Sequence, residues 1–262
     1  MFNLKGKVAI ITGATMWLGR DIAEVLAENG CDIIITSRLK DKAQKAADEI
    51  FEKYGVDAIG IHLDVNSAES VELFASEAHL WKGHIDILVN NAGGGSGASE
   101  GHLFDRSYEA IENMIKTNLT GTIFVCKAVG RYMKEQKSGK IINIGSIAGM
   151  VGRDRRMYYK SNKMEQPVDY AAAKGGVIAL TRDLAAVLAP YNVNVNCISP
   201  GGFDKGDLPE EFVRIYGDRT PLGCMGRMGR DIKGAALFLA TSASDYVTGV
   251  NLAVDGGFSS WQ

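Results

Sequence analysis

Cysteine is scarce in this chain. Cys31, Cys126, Cys197 and Cys224 are the only four in 262 residues, and no two form a CxxC pair. A dithiol redox motif and a CxxC zinc knuckle are therefore excluded. Cys31 and Cys197 stand at or in apolar strand-like runs and read as reduced core thiols. The four histidines, His62, His79, His84 and His102, lack any ligand spacing such as HExxH, so no catalytic metal is expected. Charge of one sign is lacking as well. The net charge is −2 and the sequence pI is about 6.1, which gives no global case for nucleic acid or an anionic membrane as partner. No apolar run approaches the roughly 18 residues of a membrane span. The opening MFNLKGKVAI lacks the long apolar core of a signal peptide, so a cytoplasmic location is expected.

What is present is an ordinary globular balance, 46% hydrophobic and 23% charged, in a chain long enough for one α/β domain with a large core. Short apolar runs at 8–12, 32–36, 58–61, 85–90, 140–145, 193–199 and 250–254 predict strands. Between them, helical patterns cover 19–29, 41–54, 68–82, 108–137, 171–189 and 231–241. Several strands, such as VAII and IIIT, are apolar without alternation, as expected where both faces of a parallel sheet are covered. The alternation predicts a single doubly wound Rossmann-type domain over 1–262. Glycine is abundant, at 31 residues, and clustered. The stretches 93–101, 152–169 and 199–223 read as long loops, and loops of that length in a compact domain are usually functional.

Gly13 and Gly19 bracket the turn between the first strand and the first helix in TGATMWLG. Gly13 suits a tight turn, and Gly19 suits close packing of helix on strand. The helix start there offers free N–H groups to a diphosphate. An ordinary βα loop is the rival reading. The second strand ends Thr36-Ser37-Arg38, whereas Asp32, a candidate ribose ligand, lies at the wrong end. Ser37 followed by Arg38 suits a 2′-phosphate, so NADP is favoured and NAD remains possible. An Arg38 that merely starts a solvated loop is the competing view.

Tyr170 and Lys174 in DYAAAKGG are four residues apart and share one helix face. A lysine beside a tyrosine favours the phenolate and lowers a pKa that is ordinarily about 10. Ser146 ends the strand IINIGS and can donate a hydrogen bond to a carbonyl. The three together make a proton donor and acceptor, its electrostatic tuner and a positioning hydroxyl.

With these residues in place, the chain resembles the short-chain dehydrogenases/reductases from Lys7 to Gly257. The motifs are TGATMWLG, Asp64-Val65, NNAG at 90–93, Asn118 in KTNLTG, GSIAG around Ser146, YAAAK, Pro200-Gly201 and VTGVNLAVDGG. The resemblance implies seven parallel strands. It implies Tyr170 as general acid/base, Lys174 on the nicotinamide ribose, Ser146 on the carbonyl and Asn118 in a water-linked relay to Lys174. Gly13, Thr15, Trp17, Leu18 and Gly19 would face the diphosphate. Asp64 and Val65 would flank the adenine, and Asn91, Ala92, Gly93, Pro200 and Gly201 would line the groove. It also implies a homodimer or homotetramer built through helices 108–137 and 171–189. Singly, each residue has a plainer role: Asn118 bonded to nearby backbone, or Asp64 capping the helix that starts near Ser67.

Three departures stand out. Trp17 replaces the middle glycine of the family's turn, where glycine admits positive φ. The expectation is a turn relaxed outward, with the indole over the cofactor or the substrate mouth and binding retained. The threonine that often follows Pro-Gly to bond the carboxamide is missing between Gly201 and Glu211. Ser146 and Tyr170 are separated by more residues than usual. The extra loop carries Arg153, Arg155, Arg156, Lys160 and Lys163 against Asp154 and Glu165, and Tyr158 and Tyr159 could stack on a sugar. A basic lid beside the chemistry suits an anionic substrate. The loop and its flanks are also similar to gluconate 5-dehydrogenases and to reductases of cell-surface sugars. The expected function is interconversion of a ketone and a secondary alcohol on a sugar acid or polyol. Reduction of 3-oxoacyl carrier-protein thioesters is the alternative, and a non-catalytic cofactor-binding regulator the second.

Overall fold

Residues 1–95 and 100–261 are described by a computed structural model. The Gly-rich stretch at 93–101 therefore lies partly, at 96–99, outside the described residues. Seven strands form one sheet in the order β3-β2-β1-β4-β5-β6-β9, with every neighbouring pair parallel. They are β1 (Val8–Ile11), β2 (Asp32–Ser37), β3 (Ala58–His62), β4 (Ile87–Asn90), β5 (Gly139–Ile144), β6 (Val193–Pro200) and β9 (Asn251–Val254). Successive side chains point to opposite faces, and both faces are apolar. Ile11, Ile33, Ile35 and Val89 pack under α1 (Trp17–Glu28), α2 (Lys40–Tyr54) and α9 (Lys233–Ala240). Ile10, Ile34, Leu88 and Ile141 pack under α3 (Ala68–Lys82), α5 (Gly121–Gln136) and α7 (Val168–Leu188). The unalternating apolar strands are explained by this double cover.

From β1 the chain runs to β2 and β3 on one side and resumes with β4 on the other. The order reverses between β1 and β4, which opens a crevice at their carboxyl ends, the place where open α/β sheets bind ligands.

Four sequence expectations need correction. The helix expected over 108–137 is three pieces, α4 (Tyr108–Ile115), a π-helical turn (Lys116–Thr120) and α5. A widened turn is invisible to a search for 3.6-residue periodicity. α7 begins at Val168 rather than 171, with Pro167 at its N-cap and Asp169 in its first turn, where a carboxylate complements the helix dipole. The segment 152–169 contains α6 (Arg156–Lys160). The segment 199–223 contains β7 (Phe203–Asp204) and α8 (Glu210–Asp218), and β7 pairs with β8 (Gly226–Arg227). Both segments are held by an apolar cluster of Ile147, Met157, Tyr158, Phe212, Tyr216 and Phe258. Tyr158 is thus a core residue, tilted against Phe212 at 5.5 Å, and is not free to stack on a sugar, whereas Tyr159 is exposed. Cys31 and Cys197 are buried free thiols, as is Cys126, whose pKa burial pushes up to about 12; Cys224 is exposed. Among the described residues no helix is long and apolar enough to cross a membrane.

Candidate active site

The turn after β1 is braced by the end of β4. The Thr12 hydroxyl accepts from the Asn91 and Ala92 N–H groups at 3.0 and 2.9 Å. The Asn91 side-chain amide donates to the Thr12 and Gly13 carbonyls at 2.9 and 3.2 Å. A Cβ on Gly19 would lie 2.4 Å from that amide nitrogen, so only glycine lets helix and brace approach this closely. Gly13 has φ +64, a left-handed conformation that the tight turn requires. At the start of α1, Met16 provides no side-chain cap, so the first N–H groups face the crevice without an internal side-chain acceptor. This cradle fits a diphosphate. Thr15 and Leu18 belong to the same turn and are partly buried.

Trp17 departs from expectation. The turn has not relaxed: Trp17 adopts φ +56, the left-handed backbone that glycine would take at low cost. A non-glycine residue there costs about 1–2 kcal/mol. The indole is 46% exposed and lies under the Lys205 ammonium, 4.3 Å from the ring centroid.

At the end of β2, Thr36 is buried and its hydroxyl accepts from the Gly13 N–H at 3.3 Å, which ties the strand to the turn. Ser37 Oγ accepts from the Leu39 N–H at 3.2 Å. The Arg38 guanidinium is exposed and makes no hydrogen bond or ion pair among the described residues, while its carbonyl meets the His62 ring at 3.0 Å. Asp32 sits at the far end of the strand, occupied with the Asp57 N–H and Lys82. Asp64 accepts from the Asn66 N–H at 3.0 Å, and α3 is capped by Ser67 instead. Val65 packs against Gly121.

Across the crevice, β5 ends two residues before Ser146 and α7 opens two residues before Tyr170. Ser146, Tyr170 and Lys174 are all buried. The Ser146 hydroxyl accepts from the Ala148 N–H at 3.1 Å and stands close enough to the Tyr170 phenol to act on its acidity. Lys174 Nζ donates to the Ile144 carbonyl at 2.7 Å and lies 5.8 Å from the centroid of the Tyr170 ring. The electrostatics differ from the sequence expectation. Burial pushes the phenol pKa up, and the neighbouring Ser146 hydroxyl and the Arg153 charge pull it part-way back. Lys174 is itself pushed down to about 8 by burial, because a desolvated ammonium is disfavoured. Burial outweighs the tuning expected of Lys174.

Asn118 occupies the π-helical turn. Its Oδ1 accepts from the Gly94 N–H at 2.7 Å, and its amide donates to the Gly94 and Met114 carbonyls at 3.3 and 3.1 Å. Asn118 thus positions the loop after β4; no direct bond to Lys174 is present among the described residues. Gly93 and Gly94 have φ of +124 and +135, and Gly95 lies so close to Tyr170 that a Cβ would stand 3.2 Å from its ring. Pro200 ends β6, and the Gly201 N–H donates to the Val254 carbonyl at 3.0 Å.

Two buried constellations escaped the sequence reading. Asn90 donates to Asn143 at 2.9 Å, and Asn143 donates to Thr181 at 3.0 Å, linking β4, β5 and α7 beneath the site. Asn90 was visible in NNAG, but nothing local marked its partners. The second is an ion pair of Arg106 with Asp169, 2.6 Å apart and almost fully buried, immediately before Tyr170. Part of the charge of the inserted loop is paired with carboxylates. Arg155 pairs with Glu165, and Arg156 and Arg219 pair with Asp154. Arg153 has no carboxylate partner among the described residues, nor have Lys160 and Lys163; it donates to the Gln166 side chain and to the Gln166 and Pro167 carbonyls, all neutral. It lines a cavity of about 290 Å³ between Ala148 and Ala171, neighbours of Ser146 and Tyr170.

A family profile described as enoyl-(acyl carrier protein) reductase matches residues 13–259. The 3-oxoacyl-[acyl-carrier-protein] reductase of Aquifex aeolicus is 38% identical over 260 residues, covering 97% of this chain and 98% of the relative. This chain belongs to the short-chain dehydrogenase/reductase family. It is an oxidoreductase acting on a CH–OH group. The 2-dehydro-3-deoxy-D-gluconate 5-dehydrogenase of Formosa agariphila is 34% identical, covering 98% of this chain and 94% of the relative. A solved gluconate 5-dehydrogenase from Burkholderia cenocepacia, in complex with NADP and tartrate, superposes with a TM-score of 0.89 at 34% identity. It covers 100% of this chain and 98% of its own.

Proposed function

We propose that this short-chain dehydrogenase/reductase uses NADP(H), with NAD as a possible second cofactor, to interconvert a ketone and a secondary alcohol on a sugar acid or polyol. The observation that carries the reading is the buried Ser146–Tyr170–Lys174 cluster facing the braced phosphate turn. The dinucleotide, when bound, supplies or accepts the hydride. Tyr170 gives its phenolic proton to the carbonyl oxygen in reduction and takes it from the hydroxyl in oxidation. Ser146 donates a hydrogen bond to that oxygen and steadies the developing alkoxide. Lys174 holds the ribose and keeps a positive charge by the phenol. Asn118 holds the loop over the groove and supports the proton relay. Asp64, Val65, Asn91, Ala92, Gly93, Pro200 and Gly201 line the groove. Two or four copies assemble through α4, α5 and α7.

The preference for a small anion rests on Arg153, a partly buried guanidinium that has only neutral acceptors beside the reacting group. The alternative, a 3-oxoacyl thioester, is favoured by the similarity to the Aquifex enzyme. Absorbance assays with NADPH against keto acids, ketoses and a 3-oxoacyl thioester separate them. Turnover confined to the thioester would discard the sugar-acid reading.

Two variants probe the finer assignments. Arg38→Gln is expected to lower the preference for NADPH over NADH by about 10- to 100-fold, the worth of a charge-assisted contact to the 2′-phosphate. The ratio of kcat/KM values for the two cofactors measures it, and an unchanged ratio removes Arg38 from the site. Arg153→Gln removes a positive charge that holds the Tyr170 pKa down. Reduction needs the protonated phenol, so its alkaline limb should move to higher pH. Oxidation needs the phenolate, so its acid limb should move the same way. Unmoved pH profiles would take Arg153 out of reach of the phenol.

A further inference from the structure

Two of the three departures from the family pattern meet in space. Trp17 stands where the phosphate turn usually has glycine, and Lys205 lies in the stretch after Pro200-Gly201 that lacks the usual threonine. Their contact at 4.3 Å is a cation–π pair between the first residue of α1 and the strand-like ribbon of β7 and β8. The segment that follows β8 is tied to α1 as well: the Gly229 N–H donates to Asp21 Oδ2 at 2.7 Å, and Lys233, the first residue of α9, pairs with Glu24 at 3.1 Å. The Asp204 carboxylate accepts from the Gly206 N–H at 2.8 Å and so shapes the turn that presents Lys205. Among the described residues Lys205 has no carboxylate partner. Trp17 keeps a left-handed backbone that its side chain disfavours, and strain of this kind is commonly retained where it serves a site.

We propose that Trp17 and Lys205 form a clasp over the cofactor groove, in which the indole holds the Lys205 ammonium against the diphosphate of the bound dinucleotide. The clasp rests on the dinucleotide reading above and adds a cation that the phosphate turn alone does not supply. It also links the substrate-side ribbon to the cofactor. Loss of the glycine and loss of the threonine are thereby two halves of one substitution: the loop is tethered through Trp17 and the phosphates rather than through the carboxamide.

Isothermal titration of the full chain with NADPH, and with adenosine 2′-phosphate, which lacks the diphosphate, tests this. Both side chains are exposed, so their replacement leaves the core intact. Lys205→Gln is expected to weaken NADPH about tenfold and to leave adenosine 2′-phosphate unchanged. Trp17→Leu keeps the strained backbone, removes the ring and should cost nearly the same. Trp17→Phe should retain part of the affinity, and the double variant should lose no more than either single one. NADPH binding undiminished in Lys205→Gln, or losses that simply add, would overturn the clasp while leaving the dinucleotide reading standing. Absence of NADPH binding to the unmodified protein would overturn both.

Discussion

Tyr170→Phe is expected to lower turnover by about 10³-fold and to leave NADPH affinity unchanged. The substitution removes one oxygen and keeps the ring that packs beneath Gly95, so the fold has no reason to change. Ser146 keeps its bond from the Ala148 N–H and stays in place. What disappears is the phenolic proton beside Ser146, and a positioned proton donor contributes about 10²–10⁴-fold. Steady-state rates at saturating cofactor, paired with calorimetric binding, separate the two effects. A variant that keeps a tenth or more of its rate would assign the proton to another group. A variant that loses NADPH binding would instead make Tyr170 a structural wall of the groove.

Arg106→Met is expected to destabilise the protein by about 3–5 kcal/mol and to lower Tm by about 10 °C. The Arg106 guanidinium donates to Asp169 at 2.6 Å, to the Glu100 carbonyl at 2.7 Å and to the Ala110 carbonyl at 3.1 Å. Among the described residues Arg106 Nε and Asp169 Oδ1 are buried without a partner, so the pair is incompletely satisfied there even when intact. Removing the cation strands a carboxylate in the first turn of α7, one residue before Tyr170, and that is the costly outcome for a buried pair. Arg106→Met combined with Asp169→Leu removes both charges and should recover most of the loss. Calorimetric melting of the three proteins decides it. A single variant as stable as the unmodified chain, or a double variant no better than the single, would show that the pair bears little of the stability of this corner.

Much of the site was readable because it is local. Gly13 and Gly19 stand on either side of one turn, Tyr170 and Lys174 lie one helical turn apart, and Ser146 ends an apolar run. In each case the chemistry depends on neighbours along the chain. The parallel sheet was legible for a related reason: strands without alternation have only one economical burial, between two helical layers. Other features were hidden because their partners are distant. Arg106 meets Asp169 across 63 residues, Asn90 meets Asn143 across 53, and Asp21 meets Gly229 across 208. The charged loop illustrates the limit well. Counting its residues suggests a basic surface, yet pairing with Glu165 and Asp154 neutralises Arg155 and Arg156, and of the remaining cations Arg153 is the one that lines the cavity beside Ala148 and Ala171.

Sequence by itself determined the doubly wound sheet, the glycine turn after the first strand and the tyrosine–lysine face, since periodicity and short-range spacing suffice to specify them. Only the tertiary structure decided that Trp17 retains a left-handed backbone beneath Lys205, that Tyr158 belongs to the core, and that burial governs the phenol and ammonium acidities. Contacts between remote segments and the loss of solvent around a charge are properties of the assembled fold, and no local pattern of residues encodes them.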